Sequence, residues 1–206
     1  MTTHYPIIGM SPGNSYFKEA QIERLLKYFY SSRKKLCVFV PDVPAISTYE
    51  GLGYSKSKAQ TKAMSKGNNL KNKVAKIAID LDIPSEALHV LDWKKEITSD
   101  GKYIDIYEHI LKRFNRSQSF SQDVRESTRS VLEKNQFKSP ITTNAVDIAI
   151  HYILSEFAFL AYAPEFFNME SIEYIYHKPW PVYEKFINGE YDGVIAPALN
   201  FLVWPD

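Results

Sequence analysis

Four short apolar runs, "YPIIGMS", "KLCVFVPDVP", "ALHVLDW" and "SIEYIYHKP", recur along the chain, and longer stretches with helical spacing separate them. Each run is too short and too rich in β-branched or aromatic residues to be a core helix, and Pro41 and Pro44 stop the second. Buried strands that alternate with helices form a parallel sheet wound by those helices. The expected fold is therefore α/β and Rossmann-like. In such sheets ligands bind outside the carboxyl ends of the strands. Ser11, Pro41-Asp42, Trp93 and His177 each follow a predicted strand and are expected at one edge.

The helices are read from spacing. Ile22, Leu25, Leu26 and Phe29 mark the first. After a loop, a basic helix is expected over roughly 55–82, then one or two amphipathic helices over 103–135. The most apolar helix lies in "SPITTNAVDIAIHYILSEFAFLAYAP", starting near Ser139-Pro140 and closed by Pro164. The tail reads as a helix followed by the partly extended "GVIAPALNFLVW". With 206 residues and no repeat, linker or low-complexity tract, a single domain over 1–206 is expected.

A net charge of +1 gives no global bias toward nucleic acid or membrane, but its distribution is uneven. Between Gly51 and Ile79 stand Lys56, Lys58, Lys62, Lys66, Lys71, Lys73 and Lys76 with no Asp or Glu, leaving the remaining chain net negative. Cys37, the single cysteine, excludes an intrachain disulfide and a cysteine metal cluster, and is expected to be a buried core thiol. The start, "MTTHYPIIGM", lacks the basic and apolar regions of a signal peptide, and no stretch reads as membrane-spanning. A cytoplasmic location is the expectation.

Gly9-Met10-Ser11-Pro12-Gly13 matches G-x-S-x-G, the nucleophile elbow of α/β-hydrolases. Three features oppose that reading. The oxyanion hole needs the N–H of the residue after the nucleophile, and Pro12 has none. The motif follows the first strand rather than a late one, and His177 is the only late histidine, with no clear acid partner. Ser11 also suits a simple Pro-Gly-Asn turn. "AMSKGNN", residues 63–69, is similar to the Lys-Met-Ser-Lys-Ser signature of class I aminoacyl-tRNA synthetases. The His-x-Gly-His element of those enzymes is absent from "PIIGMSPGNSY", so surface lysines with a Gly-Asn break are the simpler reading.

"IIGMSPGNSYF" as a whole resembles the N-terminal signature of the cyclodipeptide synthases. "FVPDVPAISTYEGLGYSKSKAQTKA" resembles their second strand, loop and basic helix; "HYILSEFAFL" their helix with Tyr-x-x-x-Glu; "EYIYHKPWPV" their strand ending in Tyr-His. The blocks stand in family order. The resemblance implies a fold like the catalytic domain of tyrosyl- and tryptophanyl-tRNA synthetases. It implies two aminoacyl-tRNAs as substrates, a cyclic dipeptide (2,5-diketopiperazine) as product, and neither ATP, cofactor nor metal. By resemblance Ser11 is the nucleophile, Gly9 lets the substrate approach, and Asn14, Tyr176 and His177 match one family subgroup. Tyr152 and Glu156 match the pair that holds the aminoacyl ammonium, and Tyr103 a further site tyrosine. Val38, Val40, Phe159 and Tyr174 match a first aminoacyl pocket, and Arg125, Thr128 and Asn135 a second. Lys58, Lys62, Lys66, Lys71, Lys73 and Lys76 match the tRNA handle, although the family helix is usually continuous and richer in Arg.

The residues suit this chemistry. An aminoacyl-tRNA is already an activated ester, so the protein must mainly position groups and move protons. Tyr152 and Glu156, four residues apart on a helix, lie about 5–6 Å apart at Cβ, where a carboxylate and a phenol can converge on one ammonium. The implied scheme is ping-pong through aminoacyl- and dipeptidyl-Ser11. The alternatives are a non-catalytic aminoacyl-tRNA-binding module of the same fold and, less favoured, a serine hydrolase or acyltransferase.

Overall fold

The structure, a computed structural model, describes residues 5–135 and 140–204. Each expected apolar run contains a strand: β1 (Tyr5–Gly9), β2 (Leu36–Phe39), β3 (Leu88–Val90) and β4 (Ile172–Tyr176). The extended tail supplies β5 (Leu199–Val203). They form one sheet in the order β3-β2-β1-β4-β5, every pair parallel. Ile8 in β1 stands opposite both Val38 and Ile175. The chain runs outward from β1 to β3, then returns across β1 to β4. The switch point, where such sheets open a crevice, therefore lies between β1 and β4.

The helices are α1 (Glu19–Arg33), α2 (Ala45–Gly51), α3 (Lys56–Asp80), α4 (Gly101–Phe114), α5 (Gln118–Asn135), α6 (Thr143–Ala149), α7 (His151–Phe166) and α8 (Pro181–Ile187). α1 buries Ile22, Leu25, Leu26 and Phe29, as their spacing requires. Cys37 is fully buried among apolar side chains, and burial pushes its thiol up. Phe39, Trp93 and Phe159 pack ring against ring in the core, with Phe39 and Phe159 stacked at centroids 4.5 Å apart.

Four expectations change. The loop after β2 contains α2, a seven-residue helix too short to show a period. The basic helix is continuous, with no break at Gly67-Asn68-Asn69. Gly67 lies on the buried face of α3, and a Cβ there would come 2.4 Å from Asp42 Cβ. The glycine permits close packing rather than ending the helix. The apolar stretch starts at Thr142, whose hydroxyl accepts from the Ala145 N–H, 3.1 Å away; Ser139 lies outside the described residues. It continues through Ile150, whose φ −54° and ψ −30° are helical, into α7, which passes through Pro164 and ends at Phe166. Taken together, Thr143–Phe166 is long and apolar enough to cross a membrane, contrary to the sequence reading. However, 61% of its most apolar window is buried within the protein, where it serves as the core helix.

Candidate active site

Ser11 leaves β1 in a turn closed by the Asn14 N–H on the Ser11 carbonyl, 3.2 Å apart. Pro12 takes the second position and Gly13, with φ 81°, the third. The turn reading of this stretch is thus correct, and the turn sets Ser11 at the switch point. Ser11 Oγ is 2.9 Å from the Tyr176 hydroxyl at the end of β4 and accepts from the Tyr152 hydroxyl of α7 at 3.2 Å. Among the described residues, the two groups hydrogen-bonded to this oxygen are phenols.

Glu156, one turn beyond Tyr152, is 3% exposed. It accepts from the Tyr183 hydroxyl of α8 and is hydrogen-bonded to Tyr152. Burial raises its carboxyl to about 8, against which the Tyr152 bond pulls downward. In the substrate-free protein at neutral pH this group therefore holds its proton. Burial also holds Tyr152 and Tyr174 well above the usual phenol range, with Glu156 adding to the effect. Tyr176 is pushed up to about 12, burial outweighing its bond to Ser11. All of these phenols are neutral donors and acceptors. Hydrogen bonds run from Glu156 through Tyr152 to Ser11 and on to Tyr176.

Asn14 and His177 meet beside this chain, with Asn14 Nδ2 2.8 Å from His177 Nε2. Asn14 Oδ1 accepts from the Tyr16 N–H at 3.0 Å, and Asn14 is also bonded to Tyr176. The His177 ring stacks on Tyr16 at 4.4 Å. Asn14, Tyr176 and His177 thus brace the nucleophile turn against β4.

A cavity of about 370 Å³ opens beside Ser11. It is lined by Tyr152 and Tyr176, by Ala45, Tyr49 and Leu52 around α2, and by Thr128, Leu132 and Asn135 on α5. Arg125 instead pairs with Asp147 and lies over the Phe114 ring. Val38, Val40 and Phe159 are fully buried in the core and do not line this cavity. Gly9, expected to let substrate approach, has Tyr174 where a side chain would otherwise stand. A Cβ on Gly9 would come 2.4 Å from the Tyr174 hydroxyl. Tyr103 packs edge-on against Trp93 at 5.9 Å and bonds Ser155, away from Ser11. Of the four positions after strands, Ser11 and His177 reach the site. Asp42 is fully buried in an ion pair with Lys71 at 2.6 Å, and Trp93 is core.

The lysines divide likewise. Lys66, Lys73 and Lys76 line a groove of about 520 Å³ with Lys18 and Asn14. The groove borders the nucleophile turn. Lys58 is exposed on the same helix. Lys62 lies over the Tyr54 ring at 4.2 Å, and Lys71 is held by Asp42. Lys18 and Tyr183 were not singled out from sequence. Tyr183 had one readable signal: it sits on the apolar face of a short helix, where a buried phenol needs a partner.

The profile of the cyclodipeptide synthase family matches residues 2–203. Among its relatives, the cyclo(L-leucyl-L-leucyl) synthase of Staphylococcus haemolyticus is 26% identical over 90% of this chain and 80% of its own length. The cyclo(L-leucyl-L-leucyl) synthase of Bacillus subtilis is 21% identical over 96% of this chain and 80% of its own. The fold is similar to that of a Bacillus thermoamylovorans cyclodipeptide synthase, with a TM-score of 0.84 at 19% identity, covering 98% of this chain and 88% of that one. It is also similar to a Mycobacterium tuberculosis protein, with a TM-score of 0.80 at 22% identity over 97% and 84% of the two chains. The structure of that protein related cyclodipeptide synthetases to type I tRNA-synthetases. With its profile matched over nearly the whole length, its parallel sheet shared and its serine set at the switch point, this chain is an enzyme of the cyclodipeptide synthase family.

Proposed function

We propose that the protein joins the aminoacyl groups of two aminoacyl-tRNAs into a cyclic dipeptide through covalent intermediates on Ser11. The observation that carries this reading is the placement of Ser11 Oγ between two phenols, one of them bonded to a buried carboxyl.

Ser11 Oγ attacks the first aminoacyl ester, the bond to the ribose oxygen breaks, and tRNA leaves with the serine proton. Ester is exchanged for ester, so little driving force is required. The substrate's vicinal 2′-hydroxyl can relay that proton, and Tyr176 hydrogen-bonds the oxygen that moves. The aminoacyl ammonium is received by Glu156 and Tyr152. Because Glu156 is neutral in the empty site, binding the cation releases its proton. Once Glu156 takes a proton from the ammonium, the free amine attacks the second aminoacyl ester; the bond to the ribose oxygen breaks, the second tRNA leaves with a proton from the attacking amine, and a dipeptidyl-Ser11 remains. The free amine of that dipeptide then attacks the Ser11 ester, closing the ring and restoring the hydroxyl. This is a ping-pong scheme.

The groove bearing Lys18, Lys66, Lys73 and Lys76 is assigned to tRNA phosphates. Its border with Gly13 and Asn14 suits a 3′ end that must reach Ser11.

Mass spectrometry of culture medium from a bacterium expressing the chain, beside Ser11→Ala, tests the proposal. A new mass equal to two amino acids minus two waters, absent from Ser11→Ala, is expected. Equal product from Ser11→Ala would overturn the role of Ser11. No product, with charged tRNA still bound, would leave a non-catalytic binding module.

A further inference from the structure

The cavity at Ser11 and the lysine groove meet at the nucleophile turn, where Gly13, Asn14 and Ser15 line both. A chain that enters along the groove and ends at Ser11 must cross this turn. On the cavity side stands Tyr49 of α2, whose hydroxyl would lie 3.2 Å from a Cβ on Gly13; on the groove side the stem of Lys66 would lie 3.9 Å away. A second tyrosine is tied to the first. Gly53, with φ 85°, turns the chain at the end of α2. Its N–H donates to the Glu50 carbonyl at 2.9 Å, and the Tyr54 N–H donates to the Tyr49 carbonyl at 3.1 Å. These two bonds cap the helix and bring the side chains of Tyr49 and Tyr54 together. Their rings stand perpendicular, with centroids 5.9 Å apart. A cap contact alone would bury the second ring, yet Tyr54 is 38% exposed. What lies over both rings is a cation: Lys62 Nζ is 4.2 Å from the Tyr54 centroid and 5.4 Å from that of Tyr49, and it donates to the Tyr54 hydroxyl.

Resting on the proposed use of charged tRNAs, we infer that Tyr49 and Tyr54 form a platform on which the base of the substrate's 3′-terminal nucleotide stacks. The aminoacyl ester is carried on the ribose of that nucleotide. When the ester reaches Ser11, the base therefore lies within one nucleotide of it, and Tyr49 stands at that place in the cavity wall. Bases stack on aromatic rings through their faces, whatever their hydrogen-bonding edges. The contact thus serves every charged tRNA alike, because all end in the same adenosine, and it can be used twice in one reaction cycle. As the base arrives, the Lys62 ammonium leaves its place over the rings and meets the phosphate of the same nucleotide. A cation–π contact at an exposed site is thereby exchanged for a stronger charge-assisted bond. Lys62 differs in this from Lys66 and Lys73, which line the groove itself.

The test uses RNA minihelices charged chemically with an amino acid found in the cyclic product, their terminal ribose bearing either adenine or no base. Acylation of Ser11 at subsaturating RNA is followed by the mass of the intact protein. Loss of the base should slow the native protein about fivefold to a hundredfold. Tyr54→Leu should shrink that cost about threefold or more, because the base then has less ring to stack on. Tyr54→Phe, which keeps the ring, should keep the cost. A tyrosine that only caps α2 would instead slow both RNAs alike and leave their ratio in place. Equal rates from the two RNAs with the native protein, or an undiminished ratio in Tyr54→Leu, would overturn the inference and leave the pair as a helix cap. Absence of Ser11 acylation from both RNAs with the native protein would overturn the function proposed above, and this inference with it.

Discussion

In the proposed mechanism Glu156 joins binding to proton transfer. Its carboxyl is raised to about 8 by burial, so below that value the empty site carries a proton that an incoming ammonium must displace. Formation of aminoacyl-Ser11 should therefore increase with pH and level off above about 8, as single-turnover rates with radiolabelled aminoacyl-tRNA would show. Tyr183 enters at the same scale. Its hydroxyl donates to Glu156, a bond that favours the charged form, and in the proposed mechanism it positions that carboxyl rather than meeting substrate. Tyr183→Phe should move the pH inflection upward by about one to two units, because a hydrogen bond to a carboxylate contributes about 1.5–3 kcal/mol. A uniform loss of rate with an unmoved inflection would reduce Tyr183 to packing.

At the scale of the element, α3 combines two tasks on two faces. One face carries Lys58, Lys66, Lys73 and Lys76; the other presses Gly67 against Asp42 and extends Lys71 into a buried ion pair. Variants on the two faces should therefore behave differently. Lys71→Ala leaves the Asp42 carboxylate, 1% exposed, without its partner and should lower stability by about 3–5 kcal/mol in denaturant titrations. Lys66→Ala combined with Lys73→Ala should leave the melting temperature in place. It should flatten the dependence of tRNA binding on log salt by about one for each phosphate that no longer meets a lysine. Read as sequence, these lysines were one undivided basic run. Helical spacing alone does not say which turn meets a buried acid 29 residues away. The same limit applies to α2, whose seven residues carry no period, and to the glycine that looked like a break.

For the molecule as a whole, the raised carboxyl sets a pH dependence of stability. Below its ordinary value of 4.5, Glu156 is protonated whether the chain is folded or unfolded. Between 4.5 and about 8 only the folded chain retains the proton. The stabilisation from this group is thus complete below 4.5 and is lost as pH rises through about 8, at up to about 1.4 kcal/mol per pH unit. Urea titrations across this window should show that slope in the native sequence and a flatter one in Glu156→Gln.

The sheet, its parallel sense and the major helices were legible in the sequence, whereas Ser11, Tyr152, Glu156, Tyr176 and His177 were singled out there by family resemblance. They rest on local apolar patterning and on short motifs whose parts lie close along the chain. Tertiary structure alone decided what those residues touch. Tyr176 reaches Ser11 from 165 residues away because β4 returns to lie beside β1. The same packing sends Val38 and Phe159 into the core and fills the space beside Gly9 with a phenol. Periodicity assigns a residue to a face, but its partner comes from a different element, and only the packed sheet and helices bring the two together.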